Sequence, residues 1–213
     1  MSTPHEKFQT AASQLPLVAI LRGLAPDEAP AIGEAIVEAG FRMLEVPLNS
    51  RDPLKSIALL RQRFPHALVG AGTVLEVQQV QAVKDAGGEL IVSPDCNREV
   101  IAETKRLGMV SLPGILSPTE AFAALAAGAS GLKLFPAEAA SPAVVKALLA
   151  VLPKGTPLMP VGGIAPDNMA AWHAAGAAGF GIGSALYKPG KAASAVAEDA
   201  QRFAAAYRGL VRA

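Results

Sequence analysis

The chain has 213 residues, 51% hydrophobic and 17% charged, with a formal net charge of +1. That length and composition suit a sizeable buried core and argue against a disordered chain. A charge so near zero, with no long basic or acidic block, argues against nucleic acid or an anionic membrane as the main partner, while a small anion needs only a local site.

Residues 1–14 read as a leading helix. The apolar run "LPLVAIL" (15–21) stops at Arg22 and has neither the flanks of a secretion signal nor the length of a membrane span. From there short apolar runs alternate with amphipathic segments. The predicted strands are "LVAIL" (17–21), "MLEVP" (43–47), "ALVGA" (67–71), "LIVSP" (90–94), "MVSLPG" (109–114), "GLKLF" (131–135), "PLMPVG" (157–162) and "AGFGIG" (178–183). Helical patterns such as 27–40 and 77–88 lie between them, and several end in Ala-Gly, where glycine tolerates the left-handed closing conformation. A closing helix is predicted over 191–210. Strand followed by helix, eight times over, predicts parallel strands with crossover helices. The expected fold is therefore α/β, a (β/α)₈ TIM barrel with an extra N-terminal helix, as one domain over 1–213. A doubly wound open sheet is the alternative, but its G-x-G-x-x-G fingerprint is missing: "GAGTVL" (70–75) lacks the third glycine and "GFGIGS" (179–184) has the wrong spacing.

Barrels of this kind bind ligands at the C-terminal ends of their strands. Two ionisable residues interrupt apolar strands there, Glu45 in "MLEVP" and Lys133 in "GLKLF". Burial lowers a lysine pKa, and a neutral lysine is a nucleophile. The residues alone leave two readings open: a buried ion pair between distant strands, or an amine nucleophile with a carboxylate acid/base, a pair sufficient for Schiff-base chemistry on a ketone. The other eight lysines sit mostly among polar residues, where a solvated face is the default. After the last two strands, Gly162-Gly163 and Gly183-Ser184 form glycine turns, the first before a helix expected from about Pro166. Their backbone N–H groups suit a phosphate.

Other chemistries find less support. His5, His66 and His173 are scattered, and no H-E-x-x-H, paired cysteines or carboxylate cluster signals a metal. There is no G-x-S-x-G nucleophile elbow. Cys96 is the only cysteine, so no internal disulfide forms, which fits a cytoplasmic location; the thiol carries no assigned role.

The segments "LEVPLNS", "VGAGTVL", "LIVSP", "LPG", "LKLFPAE", "PVGGIAPDN" and "GIGSALY" occur in order and resemble the KDPG/KHG aldolase family over about residues 15–190. The resemblance implies a class I aldolase with no cofactor and no metal, a (β/α)₈ barrel in a homotrimer, and a phosphorylated 2-keto-3-deoxy sugar acid as substrate. It makes Lys133 the Schiff-base lysine and Glu45 the general acid/base. Thr73 would hold the pyruvyl carboxylate, Pro94 and Phe135 would pack beside the pyruvyl unit, and Gly162, Gly163, Gly183 and Ser184 would bind phosphate. Two positions depart from the pattern of the KDPG enzymes. Asn49 stands near the place of an arginine that follows the glutamate, and Val161 replaces the threonine before Gly-Gly. With "AILRG" (19–23), these look like the branch acting on the C4 epimer, 2-dehydro-3-deoxy-6-phosphogalactonate. Arg22 would then supply the missing cation with a bidentate grip.

Overall fold

The apolar runs become short parallel strands in a computed structural model of the chain, which describes residues 2–212. The strands are β1 (Leu17–Ile20), β2 (Met43–Pro47), β3 (Leu68–Gly72), β4 (Leu90–Val92), β5 (Val110–Leu112), β6 (Gly114–Ile115), β7 (Leu132–Leu134), β8 (Leu158–Pro160) and β9 (Phe180–Ile182). The helices are α1 (Pro4–Gln14), α2 (Ala29–Glu38), α3 (Pro53–Arg63), α4 (Val77–Asp85), α5 (Arg98–Arg106), α6 (Pro118–Ala127), α7 (Pro142–Val151), α8 (Met169–Ala174) and α9 (Ala193–Arg212).

All strand pairs are parallel and follow the order expected of a barrel, as a curled sheet with helices outside it. The ladder is not continuous. It divides into a six-stranded arc, β5-β4-β3-β2-β1-β9, and a three-stranded arc, β6-β7-β8. The fifth predicted strand breaks in two at Pro113, which has no N–H to give to a ladder. The chain still joins the arcs there, because the Pro113 carbonyl accepts from the Lys133 N–H at 2.9 Å. On the other side the arcs meet through one bridge, Val161 to Gly181. The helix expected from Pro166 starts at Met169, after a turn closed by the Asn168 side chain on the Ala165 N–H at 3.0 Å.

Alternation along each strand sorts the core into two clusters. Outward residues such as Leu44, Val46, Leu132, Leu134, Phe180 and Ile182 pack under the helices in the larger cluster. Inward residues, among them Val18, Met43, Leu68, Leu90, Val110 and Met159, form a smaller one with Phe8 and Ala11 of α1. The leading helix therefore closes the N-terminal end of the barrel. Its own start is fixed by a capping box, with the Thr3 hydroxyl accepting from the Glu6 N–H and the Glu6 carboxylate accepting from the Thr3 N–H.

Candidate active site

The same alternation turns Glu45 and Lys133 inward, one from each arc. Glu45 lies between outward-facing Leu44 and Val46, and Lys133 between Leu132 and Leu134. Both line one small apolar chamber with Val18, Ile20, Met159 and Val161. Glu45 is 2% exposed and Lys133 8% exposed. Neither takes part in a direct ion pair among the described residues. One Glu45 oxygen, Oε2, is buried with no hydrogen-bond partner.

Burial without a direct partner moves both groups toward neutrality. Loss of hydration raises the Glu45 pKa from its ordinary 4.5 to about 7, against the pull of Lys133 and Arg22. Burial lowers the Lys133 pKa; Glu45 opposes that shift and Arg22 adds to it. The Lys133 Nζ lies 4.6 Å from the centroid of the Phe135 ring.

Room for the buried carboxylate comes from a residue the sequence reading did not assign to the site. A Cβ at Gly72 would stand 1.9 Å from Glu45 Oε2, so no side chain fits there without displacing the carboxylate. The "GAGT" stretch announces a glycine turn, but its place beside the Glu45 carboxylate emerges only from the pairing of β2 with β3, which sets Gly70 across from Glu45 and Gly72 across from Pro47.

Above the chamber opens a cleft of about 700 Å³. Lys133 lines both, and so reaches from the chamber to the mouth. The cleft gathers Arg22, Asn49, Phe135, Val161, Gly162, Gly163, Gly183 and Ser184. Arg22 Nη1 donates to Asn49 Oδ1 at 3.3 Å, which ties the ends of β1 and β2 together. The N–H groups of Gly163, Ile164, Ser184 and Ala185 make no backbone hydrogen bond among the described residues. Gly183 opens a turn in which its carbonyl accepts from Leu186 and Tyr187, so the free donors sit at the start of a helical turn. That arrangement suits an oxyanion.

Thr73 and Pro94 do not line this cleft. Their loops are tied to each other instead: Ser93 Oγ donates to the Val74 carbonyl at 2.7 Å, and the Val74 N–H donates to Val92 at 3.3 Å. Thr73 itself holds a left-handed backbone, with φ 56°. Glu138, Tyr187 and Lys188 are among the further cleft residues that the sequence does not single out. The Glu138 carboxylate lies over Gly162, where a Cβ would come within 2.0 Å of it. The Tyr187 hydroxyl donates to Glu28 Oε2 at 3.1 Å, and burial first, then that carboxylate, raises its pKa. Glu138 ends the quoted "LKLFPAE" and Tyr187 ends "GIGSALY"; both stand in segments whose signal lies in other residues.

Comparison with known proteins points to the family that the sequence motifs resemble. A family model of KDPG and KHG aldolases matches residues 9–204. A probable 2-dehydro-3-deoxy-6-phosphogalactonate aldolase of Rhizobium meliloti (strain 1021) is 48% identical over 193 residues, 90% of this chain and 91% of that protein. The 2-dehydro-3-deoxy-6-phosphogalactonate aldolase of Escherichia coli (strain K12) is 46% identical over 201 residues, 94% of this chain and 98% of that one. Among solved structures, a native KDPGal structure superposes with a TM-score of 0.92 at 46% identity, covering 94% of this chain and 98% of that one.

Proposed function

The chain belongs to the KDPG and KHG aldolase family of carbon–carbon lyases, and we propose that residues 1–213 form one class I aldolase domain cleaving 2-dehydro-3-deoxy-6-phosphogalactonate to pyruvate and D-glyceraldehyde 3-phosphate. The observation that carries this reading is the Glu45/Lys133 chamber, where a carboxyl titrating near neutrality faces an amine pushed toward its neutral form.

In the proposed reaction the neutral Lys133 amine attacks the C2 ketone. Glu45 passes protons as the carbinolamine loses water, leaving an iminium that serves as the electron sink. Ionised Glu45, directly or through a water, then takes the C4 hydroxyl proton. The C3–C4 bond breaks, its electron pair enters the iminium to give an enamine, and glyceraldehyde 3-phosphate leaves. Protonation at C3 and hydrolysis release pyruvate and regenerate the free amine. These steps draw on no metal and no cofactor.

The free N–H groups of Gly163 and Ser184 support a role as the phosphate cradle, with Gly162 shaping the first turn and Gly183 opening the second. Binding energy there orients the reacting carbons far from the phosphate. Arg22, held by Asn49, supports a role on the pyruvyl carboxylate, beside Phe135. We assign Thr73 and Pro94 a secondary part in enclosing the pyruvyl half, because their tied loops border the mouth rather than line it. Val161, apolar at the chamber wall, faces the C4 end of the substrate in this reading.

We also propose a cytoplasmic homotrimer. Leu75, Leu116 and Phe122 are exposed. Bonds from Asn97 to Leu75 and from Leu116 to Glu120 hold the loops carrying them to neighbouring elements, which supports a subunit contact on that side of the mouth. Among the described residues no helix is long and apolar enough to cross a membrane.

The test is pyruvate release from the two C4 epimers, measured side by side. The galactonate-derived epimer is expected to be cleaved faster. Faster cleavage of the gluconate-derived epimer would assign the chain to KDPG or 4-hydroxy-2-oxoglutarate cleavage instead. Binding of either without pyruvate release would leave a sugar-phosphate-binding barrel.

A further inference from the structure

At the opposite end of the barrel from the mouth, a second cleft of about 540 Å³ opens beside α1. Its charged lining comes from separate stretches: Lys7 on α1, Arg42 just before β2, Arg61 in the last turn of α3 and Glu89 just before β4. Among the described residues Glu89 is the only acid in it. Lys7 Nζ lies 2.8 Å from Glu89 Oε2, and Arg61 Nη2 lies 2.9 Å from Glu89 Oε1. The Lys7 side chain is only 9% exposed, so this is a built cluster and not a surface lysine.

The donors of these cations are unequally used. Arg61 is consumed by the fold: it donates to the carbonyls of Gly87, Pro65 and Ala67 as well as to Glu89. Arg42 donates only through Nη1, to the Val37 and Phe41 carbonyls, both at 2.8 Å. Its Nε and Nη2 have no partner among the described residues, and neither have the Thr10 hydroxyl, the Gln14 amide and the His66 ring, all of which line the same cleft.

The cleft thus holds three cations and one carboxylate, which pairs with Lys7 and Arg61 and not with Arg42, leaving an excess of two positive charges in a concave site ringed by unused donors. Partly buried cations in excess are stabilised by an anion that replaces the lost hydration. The local field agrees: His66 titrates below its ordinary value, first through loss of hydration and then through Arg42 and Lys7. We propose that this cleft is a second anion site, separate from the catalytic mouth, that takes a small phosphate-class dianion on Arg42, Lys7 and the fringe of His66, Thr10 and Gln14.

His66 gives a local readout, because only three histidines are present and His66 alone lines this cleft. Inorganic phosphate would be titrated into the full chain at constant ionic strength, with chloride as the balancing ion and His66 followed by NMR. The His66 ring signals are expected to move saturably and its titration midpoint to rise, since a bound dianion favours the imidazolium. Arg42→Gln is expected to weaken this binding about tenfold while leaving pyruvate release in phosphate-free buffer unchanged. Glu89→Gln removes the competing carboxylate and is expected to tighten it about tenfold, which keeps the test decisive if loss of the Arg42 contacts disturbs folding. A parallel titration with glycerol phosphate distinguishes a preference for a phosphate ester from one for free phosphate, and either preference supports the site. His66 signals that stay fixed while phosphate saturates the mouth would overturn it, as would Glu89→Gln binding no more tightly than the native chain.

Discussion

The two ends of the barrel bury charge in opposite ways. At the N-terminal floor, Lys7 and Arg61 both meet Glu89 within hydrogen-bond distance, and the carboxylate is shared between them. At the C-terminal mouth, Glu45 and Lys133 are more deeply buried and no direct ion pair joins them. A paired ion keeps its ordinary charge and holds elements together. An unpaired one in an apolar chamber is pushed toward neutrality and becomes able to exchange protons or attack a carbonyl. The floor is built for anchoring, and the mouth holds reactive groups at a cost in stability.

Substitutions at the mouth should remove activity and spare the fold. Lys133→Ala is expected to cut turnover by on the order of 10⁴-fold or more, since the covalent step disappears; steady-state pyruvate release together with an unchanged far-UV circular dichroism spectrum checks this. Glu45→Gln is expected to cost about 10² to 10⁴-fold in kcat. It should also change the pH dependence of stability. Because the folded Glu45 pKa is raised from 4.5 to about 7, the folded chain keeps a proton that the unfolded chain loses between those values. Its contribution to stability is therefore present below about pH 4.5 and is lost as pH rises through about 7. Denaturant titrations across that window should show a slope in the native chain that Glu45→Gln removes, with the variant no less stable at pH 8. The same ionisation predicts an acid limb near pH 7 in kcat/KM.

A smaller loss, about 10²-fold in kcat, is expected from Gly72→Ala, whose methyl group displaces the Glu45 carboxylate without touching substrate. Near-normal turnover in that variant would mean that the carboxylate position matters little. The floor should respond the other way. Glu89→Gln leaves two partly buried cations without their partner and is expected to cost about 1–2 kcal/mol, a fall of roughly 2–8 °C in Tm, with kcat unaltered. A change in kcat there would blur the contrast between the two ends. The smallest effect is expected from Val161→Thr. One added hydroxyl near C4 is worth about 1 kcal/mol, and should shift the epimer ratio about fivefold toward the gluconate-derived substrate.

Much of this is legible in the sequence. Buried parallel strands are near-continuous apolar runs, so their number and order stand out, and a lysine or glutamate inside such a run is conspicuous. What was hidden depends on contacts between distant segments. Pro113 divides a strand that hydrophobicity alone runs together, because the missing N–H leaves no trace in an apolar pattern. Gly72 reads as an ordinary turn glycine until β2 and β3 are paired. Lys7 reads as one more solvated helix lysine. Only the fold brings it against Glu89, which lies 82 positions along the chain. The cleft also qualifies the expected site: Arg22, Asn49 and the glycine turns come together, whereas Thr73 and Pro94 stand on loops outside it.

The proposed reaction makes the unpaired lysine at the mouth the nucleophile. Its most direct test is borohydride reduction of the chain in the presence of pyruvate, followed by peptide mapping. One reduced pyruvyl adduct is expected, on Lys133. An adduct on any other lysine, or none at all, would contradict it and leave Glu45 and Lys133 as buried charges without a chemical role.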